Sequence, residues 1–424
     1  MLIAGTQSGC GKTTITLALM QALRARGLVV APFKAGPDFL DPMWHTAACN
    51  RPCYNLDSRM MGEAECRRLR HEKSTDADLA IIEGVMGLFD GASGVGGVGS
   101  AADLARVLEE DVLLTVNAKG MGGSIVPLVE GFVRRAKQMG VRIVGIIANW
   151  VGSTHHAELL GDLLHNESLP PLVAWMEKDA PELAERHLGL VMPDAGDMPD
   201  LSRYFHMQQD FTAEARRRGE DEISEESATA PLLHDKKIAI AQDAAFCFIY
   251  AANLEWLQQQ GAEITFFSPL AGESVPENTD AVWLPGGYPE LHLKSLGQSS
   301  SWQSIRELIE DDKPLLAECG GMMVLGATID GVPMANLLPF FCTMQSRLAG
   351  LGYREEANGA LGHEFHHSKR EDLFTTEAQR HGEVKAAFQL DRGDHGLRYR
   401  NLRASYIHWY FPSQPQAVAS WFRT

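Results

Sequence analysis

Short apolar runs alternate with stretches of helical period twice along this chain, and that alternation limits the folds open to it. Leu2 to Ala4, Leu79 to Ile82, Val112 to Val116 and Val141 to Ala148 are almost wholly apolar. Runs of this length suit strands buried on both faces. Between them, Thr13 to Arg26, Ala101 to Glu109 and Ile125 to Gln138 carry the helical period. Strand–helix alternation implies an α/β fold with a parallel sheet covered on both sides. The pattern fades after Met192, and Asp194 to Pro231 is rich in Asp, Glu, Arg, Ser and Ala. That composition reads as a solvated linker over 194–232, with a helical piece around Phe211 to Arg218. Alternation resumes with strands at Lys237 to Ala241, Glu263 to Phe267, Ala281 to Leu284 and Leu315 to Ala317, and a helix over Phe248 to Gln260. Two domains are expected, 1–193 and 233–424, and no internal repeat is visible.

Composition removes some classes of function. The net charge of -17 disfavours nucleic acid as a partner. No apolar run approaches the ~20 residues of a membrane span, so no membrane association is expected. Met1 to Gly5 lead straight into a glycine-rich turn, with no signal peptide pattern. Seven scattered cysteines in 424 residues are not a disulfide framework, which fits a reducing, cytoplasmic setting.

Two motifs carry chemistry. The first is Gly5-Thr6-Gln7-Ser8-Gly9-Cys10-Gly11-Lys12-Thr13-Thr14, placed between a strand and a helix. Backbone N–H groups of such a turn bind phosphate oxygens. Lys12 is expected to reach the β- and γ-phosphates of ATP, and Thr13 to bind Mg²⁺. Gly9, Gly11 and Thr14 complete the cradle. The strict spacing wants glycine at position 6, where Thr6 stands one residue after Gly5. A bare surface turn explains poorly why Gly-Lys-Thr-Thr follows an N-terminal strand. Glu83 ends the strand Ile81-Ile82-Glu83-Gly84 and is the candidate second metal-directing acid; an acidic strand end facing solvent is the alternative. Asp90 reads as a turn residue. In Phe33-Lys34-Ala35-Gly36-Pro37-Asp38-Phe39-Leu40-Asp41-Pro42, Lys34 could neutralise a γ-phosphate and Asp41 bind metal, unless this is an ordinary proline-rich loop.

The second motif is Leu315-Leu316-Ala317-Glu318-Cys319-Gly320-Gly321, an apolar strand followed by small residues and a helix. A side chain on such a turn is presented clear of the backbone. The helix N-terminus is expected to lower the Cys319 thiol pKa. His408 could take the thiol proton and return it to departing ammonia. Backbone amides of Gly287, in Leu284-Pro285-Gly286-Gly287, and of Gly320 would form an oxyanion hole.

His363-Glu364-Phe365-His366-His367 matches H-E-x-x-H, but no helical period runs through it. On a strand, His363 and His367 would stand roughly 13 Å apart and could not chelate together. Cys49-Asn50-Arg51-Pro52-Cys53 lacks a second ligand pair.

Taken together, these motifs resemble the cobyrinate a,c-diamide synthase family over essentially the whole chain. The phosphate loop with its missing early glycine is similar to the family's. So are Lys34-Ala-Gly-Pro-Asp-Phe-Leu-Asp41, Glu83-Gly-Val-Met-Gly-Leu-Phe-Asp-Gly91 and Gly362-His-Glu-Phe-His-His-Ser368. The resemblance implies a P-loop NTPase-type, dethiobiotin-synthetase-like amidoligase domain, followed by a flavodoxin-like class I glutamine amidotransferase domain. It implies Cys319 as glutaminase nucleophile activated by His408, Lys12 and Thr13 serving ATP-Mg²⁺, and Glu83 serving the metal. Asp38, Phe39 and Leu40 would shape the site for a tetrapyrrole carboxylate. The implied reaction is ATP- and glutamine-dependent amidation of the a and c acetates of cobyrinate in cobalamin biosynthesis, through an acyl phosphate and channelled ammonia. Hydrogenobyrinate and nickel sirohydrochlorin are alternative substrates. Two departures stand out. Tyr410 occupies the place where many class I amidotransferases carry a Glu, two residues after the His, which points to a Cys-His dyad. Phe39 replaces the commoner Tyr, which bears on the order of the two amidations. A partitioning-type ATPase switch would carry a second lysine where Gln7 and Ser8 stand, and would leave Cys319 without a role. The sequence is silent on oligomeric state, and a homodimer is compatible with it.

Overall fold

The computed structural model describes residues 1–91, 97–181, 183, 185–186, 189–190, 198–208, 230–373 and 384–423. They form two compact units, residues 1–225 and 226–424. The helical piece expected around Phe211 to Arg218 lies outside the described residues.

In the first unit the apolar runs become β1 (Leu2–Gly5), β2 (Val30–Ala35), β3 (Tyr54–Leu56), β4 (Leu79–Gly87), β5 (Val112–Asn117), β6 (Ile143–Val151), β7 (Leu172–Glu177) and β8 (Phe205–Met207). The sheet order is β8-β7-β6-β5-β1-β4-β2-β3. All pairs are parallel except the edge strand β8, which runs antiparallel to β7. β8 falls inside the stretch read as linker: its Phe205 is buried with Leu201, so those residues belong to the core of the first unit. Helices α1 (Lys12–Ala25), α2 (Leu40–Cys49), α3 (Ala101–Val107), α4 (Ile125–Gln138) and α5 (Thr154–Asn166) connect and cover the strands. Each sheet face has its own apolar core, one containing Leu2, Phe33, Ile82 and Leu114, the other Ile3, Ile15, Ile81 and Leu113. That division follows from strand alternation, and it explains why these strands read as continuous apolar runs.

The second unit is built around β9 (Lys237–Ala241), β10 (Glu263–Phe267), β11 (Ala281–Leu284) and β12 (Leu315–Glu318). β13 (Gly350–Glu355), β14 (Leu361–His366), β15 (Val384–Lys385), β16 (Leu397–Tyr399), β17 (Leu402–Ser405) and β18 (His408–Tyr410) follow. The main sheet has the order β10-β9-β11-β12-β17-β16-β15, parallel from β10 to β17 and antiparallel beyond. A separate antiparallel sheet, β13-β14-β18, takes up the chain as it leaves β17. The stretch containing His363-Glu-Phe-His366 is thus a strand.

Candidate active sites

The first site forms at the carboxyl end of β1, where the sheet's central strand meets α1. This is the end at which open α/β sheets bind ligands. A methyl group on Gly5 would collide with Cys10 Sγ and lie 3.0 Å from the Gln7 carbonyl. Glycine at position 5 is therefore what lets the loop fold back over the strand. Gly11 has φ 85, a left-handed conformation, and a methyl there would strike Asn149 Nδ2. That amide donates to the Cys10 carbonyl at 3.2 Å, fastening the loop to the end of β6. Lys12 is buried and pairs with no acid among the described residues.

Strand register brings the charged groups together. Lys34 on β2 and Glu83 on β4 are direct neighbours, and Glu83 is level with Ile3 of β1. Thr13 Oγ1 donates to Glu83 Oε1 at 2.7 Å. Lys34 Nζ lies 3.2 Å from the same oxygen and 2.6 Å from Asp41 Oδ2. His45 Nε2 is 2.6 Å from Glu83 Oε2, and Cys53 Sγ is 3.6 Å from His45 Nδ1. Burial works to raise the Glu83 carboxyl, but Lys34, His45 and Thr13 outweigh it and hold Glu83 below the usual carboxylate range. Burial also opposes charge on Lys34, and Asp41, Glu83 and Asp38 together overcome it, so the ammonium stays charged. Burial pushes Asp41 up to about 7 against the pull of Lys34.

Asp41 and His45 stand four residues apart on α2, on one helix face. His45 is a site residue that the motif reading missed, and its spacing from Asp41 was the available signal. Asp38 takes a different position from Asp41: its Oδ1 accepts from the N–H groups of Leu40 (2.8 Å) and Asp41 (3.2 Å), capping α2. Asn55 Nδ2 bonds the Asp38 carbonyl at 2.7 Å. Phe39 and Leu40 are largely buried beside it, and Thr14 is half-buried in the first turn of α1. Asp90 Oδ2 accepts from Gly87 N–H at 2.9 Å, as a turn residue does. No group of three or more His, Cys, Asp or Glu side chains among the described residues is arranged to hold a metal ion.

The second site forms at the end of β12. Cys319 has φ 47 and ψ -108, a conformation disfavoured for a residue with a side chain. It precedes α6 (Gly320–Met323), a helix of a single turn. Glycine permits this tight joint, since a methyl on Gly321 would strike the Leu284 carbonyl. A methyl on Gly320 would lie 3.1 Å from the Gly287 nitrogen, so the two candidate oxyanion amides are close together. A methyl on Gly286 would collide with His408 Cε1 and lie 3.3 Å from Cys319 Cβ. The Cys319 Cβ and the His408 imidazole therefore border the same point. His408 stacks on His363 with ring centroids 5.2 Å apart, and Tyr250 Oη lies 3.0 Å from His363 Nδ1.

The thiol does not behave as the sequence suggested. Burial pushes Cys319 well up and the nearby Glu290 adds to it, while the Gly320 N–H acts the other way. One turn of helix is too short to reverse the desolvation of a cysteine only 5% exposed. Burial also pushes His408 well down, helped by His363 and His366. Both groups are thus neutral at rest.

Burial lowers His363 to about 3 and His366 to about 4 as well. Each of these imidazoles binds its proton more weakly folded than unfolded. Their contribution to stability is complete above about pH 6.5 and is lost as pH falls toward the folded values. Unfolding between pH 4 and 6 is expected to take up protons, and His363→Asn to reduce that uptake by about one. Midpoints of urea unfolding measured against pH would check this.

A phosphate-loop unit followed by a unit with a cysteine elbow and a paired histidine defines a nucleotide-dependent glutamine amidotransferase class. Residues 1–189 match the CobQ/CobB/MinD/ParA nucleotide binding domain, and residues 237–416 match the CobB/CobQ-like glutamine amidotransferase domain. The hydrogenobyrinate a,c-diamide synthase of Stutzerimonas stutzeri is 42% identical, aligned over 100% of this chain and 98% of its own. The cobyrinate a,c-diamide synthases of Herminiimonas arsenicoxydans (39%) and Priestia megaterium (36%) align over 100% and 99% of this chain and 96% of their own. The chain belongs to the family of cobyrinate and hydrogenobyrinate a,c-diamide synthases.

Proposed function

We propose that the protein uses ATP and L-glutamine to amidate the a and c acetate side chains of a cobyrinate-type tetrapyrrole in cobalamin biosynthesis. The observation that carries this reading is the presence, on one chain aligned end to end with such synthases, of both a phosphate cradle and a strained cysteine facing a histidine. The first domain is proposed to run past residue 193 and to include β8, whose Phe205 packs in its core, and the second to span 233–424.

In the first unit a substrate acetate attacks the γ-phosphorus of ATP, giving an acyl phosphate and ADP. Loop amides and Lys12 hold the phosphates, and the charged Lys34 offsets negative charge near the transferred group. The hydroxyl of Thr13 and the carboxylate of Glu83 form an oxygen pair suited to Mg²⁺, which when bound neutralises phosphate charge. Asp41 was a metal candidate from sequence; its 2.6 Å contact with Lys34 favours the role of holding that lysine. Asp38, Phe39 and Leu40 are proposed to border the carboxylate being activated.

In the second unit Cys319 attacks the side-chain amide of glutamine. Because thiol and imidazole are both neutral at rest, proton transfer to His408 accompanies attack rather than preceding it. The amides of Gly287 and Gly320 stabilise the oxyanion. Collapse expels ammonia, which takes the proton from His408 and leaves a thioester that water hydrolyses to glutamate. Ammonia displaces phosphate from the acyl phosphate, and the cycle repeats on the second acetate.

Relatives named for hydrogenobyrinate and for cobyrinate align about equally well, which makes the cobalt-free macrocycle a second reading. Mass spectrometry of products from each, with ATP and glutamine, decides between them. Two carboxyl-to-amide conversions on one macrocycle and none on the other are expected. No conversion of either would overturn the proposal.

A further inference from the structure

We infer that Glu318 is a positioning residue for the glutaminase, tying the strand of the base to the strand of the nucleophile; this rests on the glutaminase reading above. The backbone ladder breaks between the nucleophile and the base. β12 and β17 are paired in register up to Glu318 and Ser405, and Cys319 N–H closes the ladder on the Ser405 carbonyl at 2.7 Å. The chain then leaves the main sheet. Three residues later His408 opens β18, which pairs with β14 in a different sheet. Backbone pairing therefore holds Cys319 in one sheet and His408 in another.

The Glu318 side chain spans that gap. Its Oε1 accepts the backbone N–H of Trp409, the residue after His408, at 3.1 Å. Its Oε2 accepts the indole Nε1–H of Trp283, on the adjacent strand β11, at 3.2 Å. One carboxyl group thus joins the residue before the nucleophile to the residue after the base, while an indole fixes its other oxygen. The carbonyl of Trp409 is held separately by Asn253 Nδ2 at 2.8 Å. Glu318 is 1% exposed. Burial pushes its carboxyl up to about 8 despite the two donors, so this position is costly for an acid. Both donors require acceptors, a demand that glutamine meets with one oxygen only. The position two residues after His408, where a carboxylate could touch the imidazole, is Tyr410. Glu318 orients the imidazole through the backbone instead.

The test compares wild type, Glu318→Gln and Glu318→Asp, the last retaining both acceptors on a side chain one methylene shorter. Steady-state glutamine hydrolysis is expected to lose about 10- to 100-fold in kcat in both variants, with KM for glutamine within about twofold. Amidation driven by added ammonium chloride, which bypasses the thiol, should remain near wild type, and urea unfolding followed by tryptophan emission, weighted toward the second unit, serves as the measure of folding there; if Glu318→Gln does not fold, Glu318→Asp carries the test. Alkylation of Cys319 by iodoacetamide, followed by peptide mass spectrometry, supplies a readout that general loosening would not produce. The variants should react more slowly than wild type near neutral pH, and the deficit should narrow as pH rises and hydroxide takes over from the imidazole as the base. Full kcat in a folded variant would overturn the inference. So would an alkylation deficit that is the same at every pH, or a loss of kcat matched by an equal loss of ammonia-driven amidation. Persistence of glutamine hydrolysis in Cys319→Ala would instead overturn the glutaminase reading itself.

Discussion

Cys319→Ala is expected to abolish glutamine-dependent amidation, by about 10⁴-fold or more, and to leave ammonia-dependent amidation in place. The two arms differ because the variant removes the sulfur of the proposed nucleophile and leaves the residues of the phosphate loop unchanged. A φ of 47 remains unfavourable for alanine. Alanine meets that backbone on the same terms as cysteine, so the variant should fold. Amide formation from glutamine and from ammonium chloride, measured side by side, checks it. Equal loss in both assays would mean that the two chemistries are not separable, and survival of the glutamine reaction would remove Cys319 from the mechanism.

The second large effect is expected at Lys34. Its ammonium is buried between Asp41 and Glu83, and removing one partner of such a set leaves charge uncompensated. Lys34→Met is expected to destabilise the first unit by about 3–5 kcal/mol and to stop amidation from either nitrogen source. Combining it with Asp41→Asn removes one of the stranded carboxylates, so the double variant should recover part of the stability and none of the activity. Thermal unfolding together with the ammonia-driven assay separates these outcomes. A Lys34→Met protein with wild-type melting and reduced activity would mean that Asp41 is already protonated beside Glu83.

These two sites differ in how far they could be read from sequence. The glycine and Lys-Thr pattern, the apolar strands and the Cys-Gly-Gly turn are local, and local patterning suffices to place them. Strands at Lys237 to Ala241, Glu263 to Phe267 and Ala281 to Leu284 were legible to the residue because their termini coincide with changes from apolar to polar composition. Helix α2 was less legible. Pro42 looks like a loop residue, yet it stands in the first turn, where an N–H is not needed for the helix. Without α2 as a helix, Asp41 and His45 could not be seen to share a face, and the contact of His45 with Glu83 was hidden. Edge strand β8 was concealed by the polar composition around it. The thiol illustrates a different limit. A short helix and a buried sulfur act in opposite directions, and which prevails depends on exposure, a property of the packed molecule.

The placement of tryptophan has a practical consequence. Five of the eight, Trp256, Trp283, Trp302, Trp409 and Trp421, belong to the second unit. Trp409 adjoins the base and lies 5.1 Å from Trp421, while the indole of Trp283 donates to Glu318. The chain therefore contains its own optical reporter. Its ultraviolet emission is weighted toward the chromophores around Cys319, the proposed nucleophile, so mixing with glutamine should reveal thioester formation without any attached dye.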